Sequence, residues 1–265
     1  MISKLWLLLQ LTGLLVAQPG QFPAVKDWAT LRITLSRSGC FGSCPEYEVE
    51  IHGDGQVRYN GMAFVSVRGV HDSTVTRQDL ELLIEGFRNA DFFALNSEYR
   101  INLSDGSTYK TSLSIDGQTK SVLDYGGRAV GMPSVVTEVE QAVDRIANTG
   151  MWVRGDEKTV EALRREGFDF KTQEGGRILA WASGAGDRKV VRDLIDAGVP
   201  LDIPTALFIL QAPSLVHAIS NNDPEVLRML VEAGASKTDS AAKQQALEAA
   251  RRKGDRQLVA LLETY

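Results

Sequence analysis

The sequence has few of the residues on which many active sites and disulfide-rich scaffolds depend. It contains only two cysteines and three histidines in 265 residues. It can therefore form neither a disulfide-rich framework nor a four-cysteine zinc site. It also lacks an excess of positive charge, because 29 basic side chains stand against 34 acidic ones. This balance argues against nucleic-acid binding, which needs a basic surface.

Common catalytic motifs are also missing. The sequence contains no Gly-x-Ser-x-Gly nucleophile motif, no Walker phosphate loop and no His-Glu-x-x-His zinc motif. We therefore predict no catalytic residue, no bound cofactor and no metal site. The hydrophobic fraction of 43% is ordinary for a folded protein.

One short apolar run lies at the N-terminus. Residues 5–16 are almost wholly apolar, follow Lys4 and end at Ala17 and a Gln-Pro-Gly turn. A run of about 12 residues is too short for a membrane helix, which needs roughly 20. The pattern is typical of a secretory signal peptide. We predict that residues 1–18 are removed and that the protein is exported to the periplasm or the extracellular space, with no stable membrane span.

The rest of the chain divides into two parts of different texture. Residues 19–150 alternate apolar and polar positions, as in the strand Leu31 to Ser36 and the hairpins around Asp54-Gly55 and Asp116-Gly117. A further strand is predicted around residues 64–67, and helices are predicted after Thr76 and from Pro133. This part is predicted to be an α+β domain, an antiparallel sheet with two helices. Residues 151–265 are rich in Ala, Leu, Glu and Arg and are predicted to be all helical.

The two cysteines lie in one loop between the first two predicted strands. Cys40 and Cys44 are separated by Phe-Gly-Ser, and an exported protein favours a disulfide between them. A redox-active pair is an alternative, although such a pair needs a thiol whose pKa is lowered by a nearby cation or helix N-terminus. A metal site that recruits His52 or His71 is another alternative.

The segment around these cysteines resembles a known family. It reads Gly39-Cys-Phe-Gly-Ser-Cys-Pro-Glu-Tyr47, which is similar to the Gly-Cys-Phe-Gly-x-Cys-Pro-x-Tyr signature of a bacterial domain family of unknown function. The resemblance covers roughly residues 30–150. It implies an extracytoplasmic protein and no known reaction.

The second part contains an internal repeat. Similar segments begin at Gly155, Gly186, Asn222 and Gly254, at offsets of 31, 36 and 32 residues. Together with a Leu and an Ala at fixed distances before the last three, this resembles the 33-residue ankyrin repeat. The Thr-Pro-Leu-His opening of that family is missing. The resemblance implies a solenoid of three to four degenerate helix pairs that binds a protein partner.

These observations lead to one functional prediction and one alternative. We predict an exported, non-enzymatic protein–protein interaction module whose ankyrin-like stack docks a protein partner. The alternative is a thiol–disulfide or metal-dependent enzyme centred on Cys40 and Cys44. The residues predicted to contact the partner lie on the first helices of the repeats, and they are Arg177, Trp181, His217, Lys243 and Arg251. The alternative for Trp181 and His217 is packing between neighbouring helices, and the alternative occupant of this side is the first domain itself.

Overall fold

The computed structural model describes residues 22–264, except residues 103, 208, 209, 236, 238 and 239 and the side chains of residues 205–207, 210 and 211. The predicted signal peptide, residues 1–18, therefore lies outside the described residues. The described N-terminal part begins with a short 3-10 helix, Trp28–Thr30. Its strands are β1 (Arg32–Arg37), β2 (Glu46–His52), β3 (Gln56–Ala63), β4 (Gly69–Thr74), β5 (Glu98–Arg100), β6 (Tyr109–Ile115) and β7 (Gln118–Tyr125).

These seven strands form one sheet in the order β4-β3-β2-β1-β6-β7-β5. All neighbours are antiparallel except β5, which runs parallel to β7. An antiparallel sheet was predicted, and the parallel edge strand β5 corrects this prediction. A three-residue strand has too little alternation to be recognised from its sequence. The predicted hairpin turn is confirmed, because Asp116 and Gly117 have φ values of 48° and 81°, both left-handed, as a type I′ turn requires.

Two helices cover one face of the sheet, as predicted. Helix α1 (Arg77–Asn89) begins at the predicted Thr76, whose hydroxyl caps the backbone amide of Asp79 in a capping box. Helix α2 (Ser134–Ile146) follows Pro133. Their apolar faces pack on the inward side chains of β1, β2, β6 and β7, and this forms the core of the sheet domain.

The C-terminal part is helical. Its helices are α3 (Thr149–Val153), α4 (Glu157–Arg165), α5 (Gln173–Ala185), α6 (Arg188–Asp196), α7 (Ser214–Asn221), α8 (Pro224–Glu232), α9 (Ser240–Lys253) and α10 (Arg256–Thr264). A small hairpin before α7 corrects the all-helical prediction, and it is formed by β8 (Thr205–Leu207) and β9 (Leu210–Ala212).

The helices of this part contact each other in a regular pattern. Helices α5, α7 and α9 lie side by side in one row, and α4, α6, α8 and α10 lie side by side in another. The four repeated turn residues, Gly155, Gly186, Asn222 and Gly254, all have φ values between 61° and 80°. The left-handed backbone explains why Gly or Asn stands at each of these positions.

The sheet and the helices meet through the loop between β3 and β4, residues 64–68. A strand was predicted around these residues, but they lie between strands and pair with α3 instead. The backbone amides of Ser66 and Val67 donate to the carbonyls of Val153 and Trp152, each at 2.9 Å. Val65 and Val67 are fully buried in the same apolar cluster as the helical core. The core of the helical region therefore extends onto the sheet domain.

Candidate functional site: the disulfide loop and the polar row beneath it

The loop between β1 and β2 is closed by a disulfide between Cys40 and Cys44, with the Cα atoms 5.5 Å apart. The predicted pairing is thus present. The loop is also held by the neighbouring loop before β6. The amide of Ser38 donates to the Thr108 carbonyl at 2.9 Å, and the amide of Phe41 donates to the Asp105 carbonyl at 3.3 Å. The disulfide and these hydrogen bonds restrain the backbone of the loop.

Phe41 stands at the tip of this loop and is 91% exposed, which makes it the most exposed large hydrophobic side chain of the described residues. Its neighbours Gly42 and Ser43 are also exposed, and Gly42 has a φ of 144° that favours glycine. An aromatic side chain of this size gains much by burial. The loop holds it in solvent instead.

A row of polar side chains crosses the sheet where the loop begins. Arg37 on β1 lies opposite Tyr47 on β2 and Tyr109 on β6. Tyr109 in turn lies opposite Asp124 on β7. Opposite residues of antiparallel strands point to the same face, and this face is the one that α2 covers. We call Tyr47, Arg37, Tyr109 and Asp124 the polar row.

Helix α2 places two carboxyl groups over the polar row. Asp144 accepts hydrogen bonds from the Tyr47 hydroxyl, at 2.8 and 2.9 Å, and from the Thr149 hydroxyl at 2.7 Å. Burial raises the pKa of Asp144, although these hydrogen bonds oppose the rise. Burial raises the pKa of Glu140 to about 8, and the carboxylates of Asp124 and Asp144 act in the same direction. The raised pKa of Glu140 favours its protonated form at neutral pH.

Several buried polar atoms around the polar row have no hydrogen-bond partner among the described residues. They are Arg37 Nε, Tyr59 OH, Ser107 Oγ, Thr111 Oγ1 and Glu140 Oε1. Such atoms are rare in folded proteins, and bound water often satisfies them. Two buried carboxyl groups on one face of a helix resemble an acid–base pair. In this structure, however, Asp144 links the sheet to the start of α3, so its observed role is structural.

Sequence reasoning did not find the polar row. Its four members are spread over residues 37–124, and only the pairing register of four strands brings them together. A weak signal was present in the polar ends of otherwise apolar strands. Without the strand order, that signal could not be assigned to one place.

Three of the predicted partner-binding residues form hydrogen bonds with other residues of the same chain. Arg177 is 5% exposed, and its guanidinium donates to the carbonyls of Val65 and Ser66 at 2.9 and 2.5 Å. His217 is also buried, and its Nε2 atom lies 3.1 Å from the Ala212 carbonyl. The Trp181 indole donates to the Arg154 carbonyl at 3.0 Å. The loop 64–68 and β9 therefore occupy the place where a partner was expected near Arg177 and His217.

The other two predicted residues lie on α9. Lys243 is partly exposed and Arg251 is exposed. Arg251 forms a solvent-exposed ion pair with Glu263 on α10 at 3.0 Å. Both side chains lie on the last helix pair and face solvent at least in part, so they remain available to a partner.

The two histidines considered for a metal site contact residues other than the two cysteines. His71 stacks on Trp152, with ring centres 4.3 Å apart, and its Nδ1 atom lies 2.7 Å from Glu166. His52 pairs with Glu50 at 2.7 Å on the open face of the sheet. Within the part of the chain that the structure describes, no group of three or more His, Cys, Asp or Glu side chains could hold a metal ion.

Fold and site together define a sheet domain with a disulfide loop, joined to a region of helix pairs. Residues 31–147 match the family model described as "Domain of unknown function (DUF6438)". This range coincides with the domain that the cysteine signature indicated. No ankyrin-repeat family model matches the helical region, and no curated protein sequence matches the chain. Among the described helices, none has the length and apolar character needed to cross a membrane.

Proposed function

We propose that this chain is an exported, non-enzymatic protein-binding module whose ankyrin-like helix pairs dock a protein partner. The observation that carries the proposal is the repeated helix pair. Each of the helices α4, α6, α8 and α10 follows a turn residue with left-handed backbone and then an Asp. The Asp side chain accepts hydrogen bonds from the first turn, as Asp156, Asp187, Asp223 and Asp255 do. Stacked pairs of this kind build extended binding surfaces in repeat proteins.

The partner surface is expected on the last helix pair. Arg177 on α5 and His217 on α7 are buried in contacts with loop 64–68 and with β9. These two residues are therefore not part of the proposed surface. On α9, Lys243 and Arg251 add positive charge at positions that face solvent. We infer a partner with an acidic patch, because complementary charge speeds the encounter of two proteins.

Export is the second element of the proposal. Its support is the signal-like residues 1–18 together with the disulfide, since disulfides persist in oxidising compartments. N-terminal sequencing of the protein from its source cell tests it. A mature chain that starts near residue 18 is expected, and cytosolic protein that retains Met1 would contradict export.

The position of the disulfide supports a staple rather than a redox centre. Cys40 and Cys44 lie between two strands and not at a helix N-terminus, where a thiolate would be stabilised. The nearest cation in sequence, Arg37, has its guanidinium over the Tyr109 ring at 5.0 Å. Replacing both cysteines by serine is expected to lower stability while binding through α9 persists.

Charge reversal tests the docking surface. The full-length chain is used to capture partners from the native envelope fraction by cross-linking. We expect Lys243→Glu with Arg251→Glu to weaken capture strongly. The matched control is Arg192→Glu with Arg228→Glu, which changes the charge equally on the exposed sides of α6 and α8. Capture that survives the first pair of substitutions but is lost with the control would place the site on α6 and α8.

A further inference from the structure

The disulfide loop holds an exposed aromatic side chain, Phe41, that has no role in the docking proposed for the helix pairs. Phe41 is 91% exposed, whereas the phenyl rings of Phe87 and Phe92 in the same domain are fully buried. Isolated exposed apolar side chains are common on protein surfaces. This one, however, is mounted on a backbone that is held by a disulfide and by two hydrogen bonds.

A rigid loop with a single aromatic tip has the properties of a binding anchor. Aromatic side chains dominate the binding energy of many interfaces by filling a pocket on the partner. Preorganisation of the loop lowers the entropy that is lost on binding. Gly39, Gly42 and Ser43 surround Phe41 with small groups, so a partner surface can approach the ring closely.

The charges beside Phe41 indicate what kind of pocket it fits. Asp105 is exposed, and its carbonyl accepts the Phe41 amide. Glu46 lies at the other side of the loop, with Oε2 3.6 Å from where a Cβ on Gly39 would stand. Neither carboxylate has an ion-pair partner within the described residues. Two unpaired carboxylates beside an apolar tip complement a basic rim and repel an anionic membrane.

We propose that the Cys40–Cys44 loop inserts Phe41 into an apolar pocket with a basic rim on a protein partner. This surface is separate from α9, so this proposal is tested independently of the docking proposed for the helix pairs. The two surfaces can bind the same partner or different ones. In either case Phe41 supplies the anchor, and Glu46 and Asp105 speed the encounter.

A photo-cross-linking experiment tests the proposal in the full chain. The substitution Phe41→benzoylphenylalanine is compared with Leu82→benzoylphenylalanine, because Leu82 on α1 is also a well-exposed apolar residue, at 59%. The expected result is one discrete adduct with a different protein from position 41 and none from position 82. Excess unlabelled wild-type protein should abolish the adduct, whereas excess Phe41→Ser protein should not.

Reconstitution with the identified protein gives the quantitative test. Phe41→Ser should raise the dissociation constant by about 30-fold or more, as expected for a central anchor. Phe41→Tyr should retain most of the affinity of the wild type. Asp105→Asn with Glu46→Gln should slow association, more at low salt, and leave dissociation nearly unchanged. Circular dichroism and the intact mass of each variant confirm the fold and the disulfide.

Several results would overturn the proposal. They are equal adducts from positions 41 and 82, an adduct with a second copy of this chain, and no adduct from a folded protein with benzoylphenylalanine at position 41. Binding to vesicles of phosphatidylethanolamine and phosphatidylglycerol that depends on Phe41 would also overturn it, because the occupant would then be a membrane. A partner adduct that survives Lys243→Glu with Arg251→Glu separates this surface from the one proposed on α9.

Discussion

Replacing Glu140 by glutamine should remove a large pH dependence of stability. The pKa of Glu140 rises from its ordinary 4.5 to about 8 in the folded protein. Between these values the folded state holds a proton that the unfolded state releases, so stability falls as the pH rises. Each pH unit corresponds to about 1.4 kcal/mol. The contribution of Glu140 to the free energy of unfolding therefore decreases by up to about 5 kcal/mol from pH 4.5 to pH 8.

Urea unfolding at half-unit steps from pH 5 to pH 8.5 measures this effect. The difference in free energy of unfolding between Glu140→Gln and wild type should move in favour of the variant as the pH rises, by more than about 2 kcal/mol between pH 5.5 and pH 8. The matched control is Glu138→Gln, because Glu138 is exposed on the same helix. Curves for wild type and Glu140→Gln that run parallel across this range would refute the reasoning, since Glu140 would then be ionised in the folded protein.

Three further predictions concern stability. Arg177→Met should lower the free energy of unfolding by about 2–5 kcal/mol in urea titrations, because it leaves the buried carbonyls of Val65 and Ser66 without their donor; a change below about 0.5 kcal/mol would contradict the burial of this contact. Thr76→Ala should lower it by about 0.5–2 kcal/mol through loss of the α1 cap, and Thr74→Ala serves as the nearby exposed control. Cys40→Ser with Cys44→Ser should lower it by about 2 kcal/mol, the low end for a disulfide, because the closed loop is short. Reduction of the wild type should add two daltons to the intact mass, and free thiols in freshly isolated protein would count against the bond.

Features that depend on neighbours in sequence were predicted well. The Thr76 cap of α1, the Asp116-Gly117 turn and the start of α2 after Pro133 each involve a few adjacent residues. The same holds for the disulfide, because Cys40 and Cys44 stand in one short loop. Local backbone preferences and short-range hydrogen bonds decide such features, and the sequence records them directly.

Features that depend on distant residues were predicted poorly. The positive charge of Arg177 was expected to serve a partner or the first domain itself, but no local pattern identified its acceptors, Val65 and Ser66, more than 100 residues earlier. The polar row needs the register of four strands, and β5 is too short to show a pattern. No local rule relates residue 37 to residue 124, so these contacts could only come from the structure.

The junction through loop 64–68 also has a consequence for how the chain folds. The Arg177 contacts with Val65 and Ser66 close loops of 112 and 111 residues, and His71 meets Glu166 across 95. Closing such long loops costs entropy before any contact is gained, which slows folding. Tyr59 and Val67 are buried against Trp152 and the first helix pairs. Their burial therefore requires the helical region to have folded. A chain shortened to residues 22–147 would leave these side chains in solvent. We therefore expect it to aggregate more readily than the full chain.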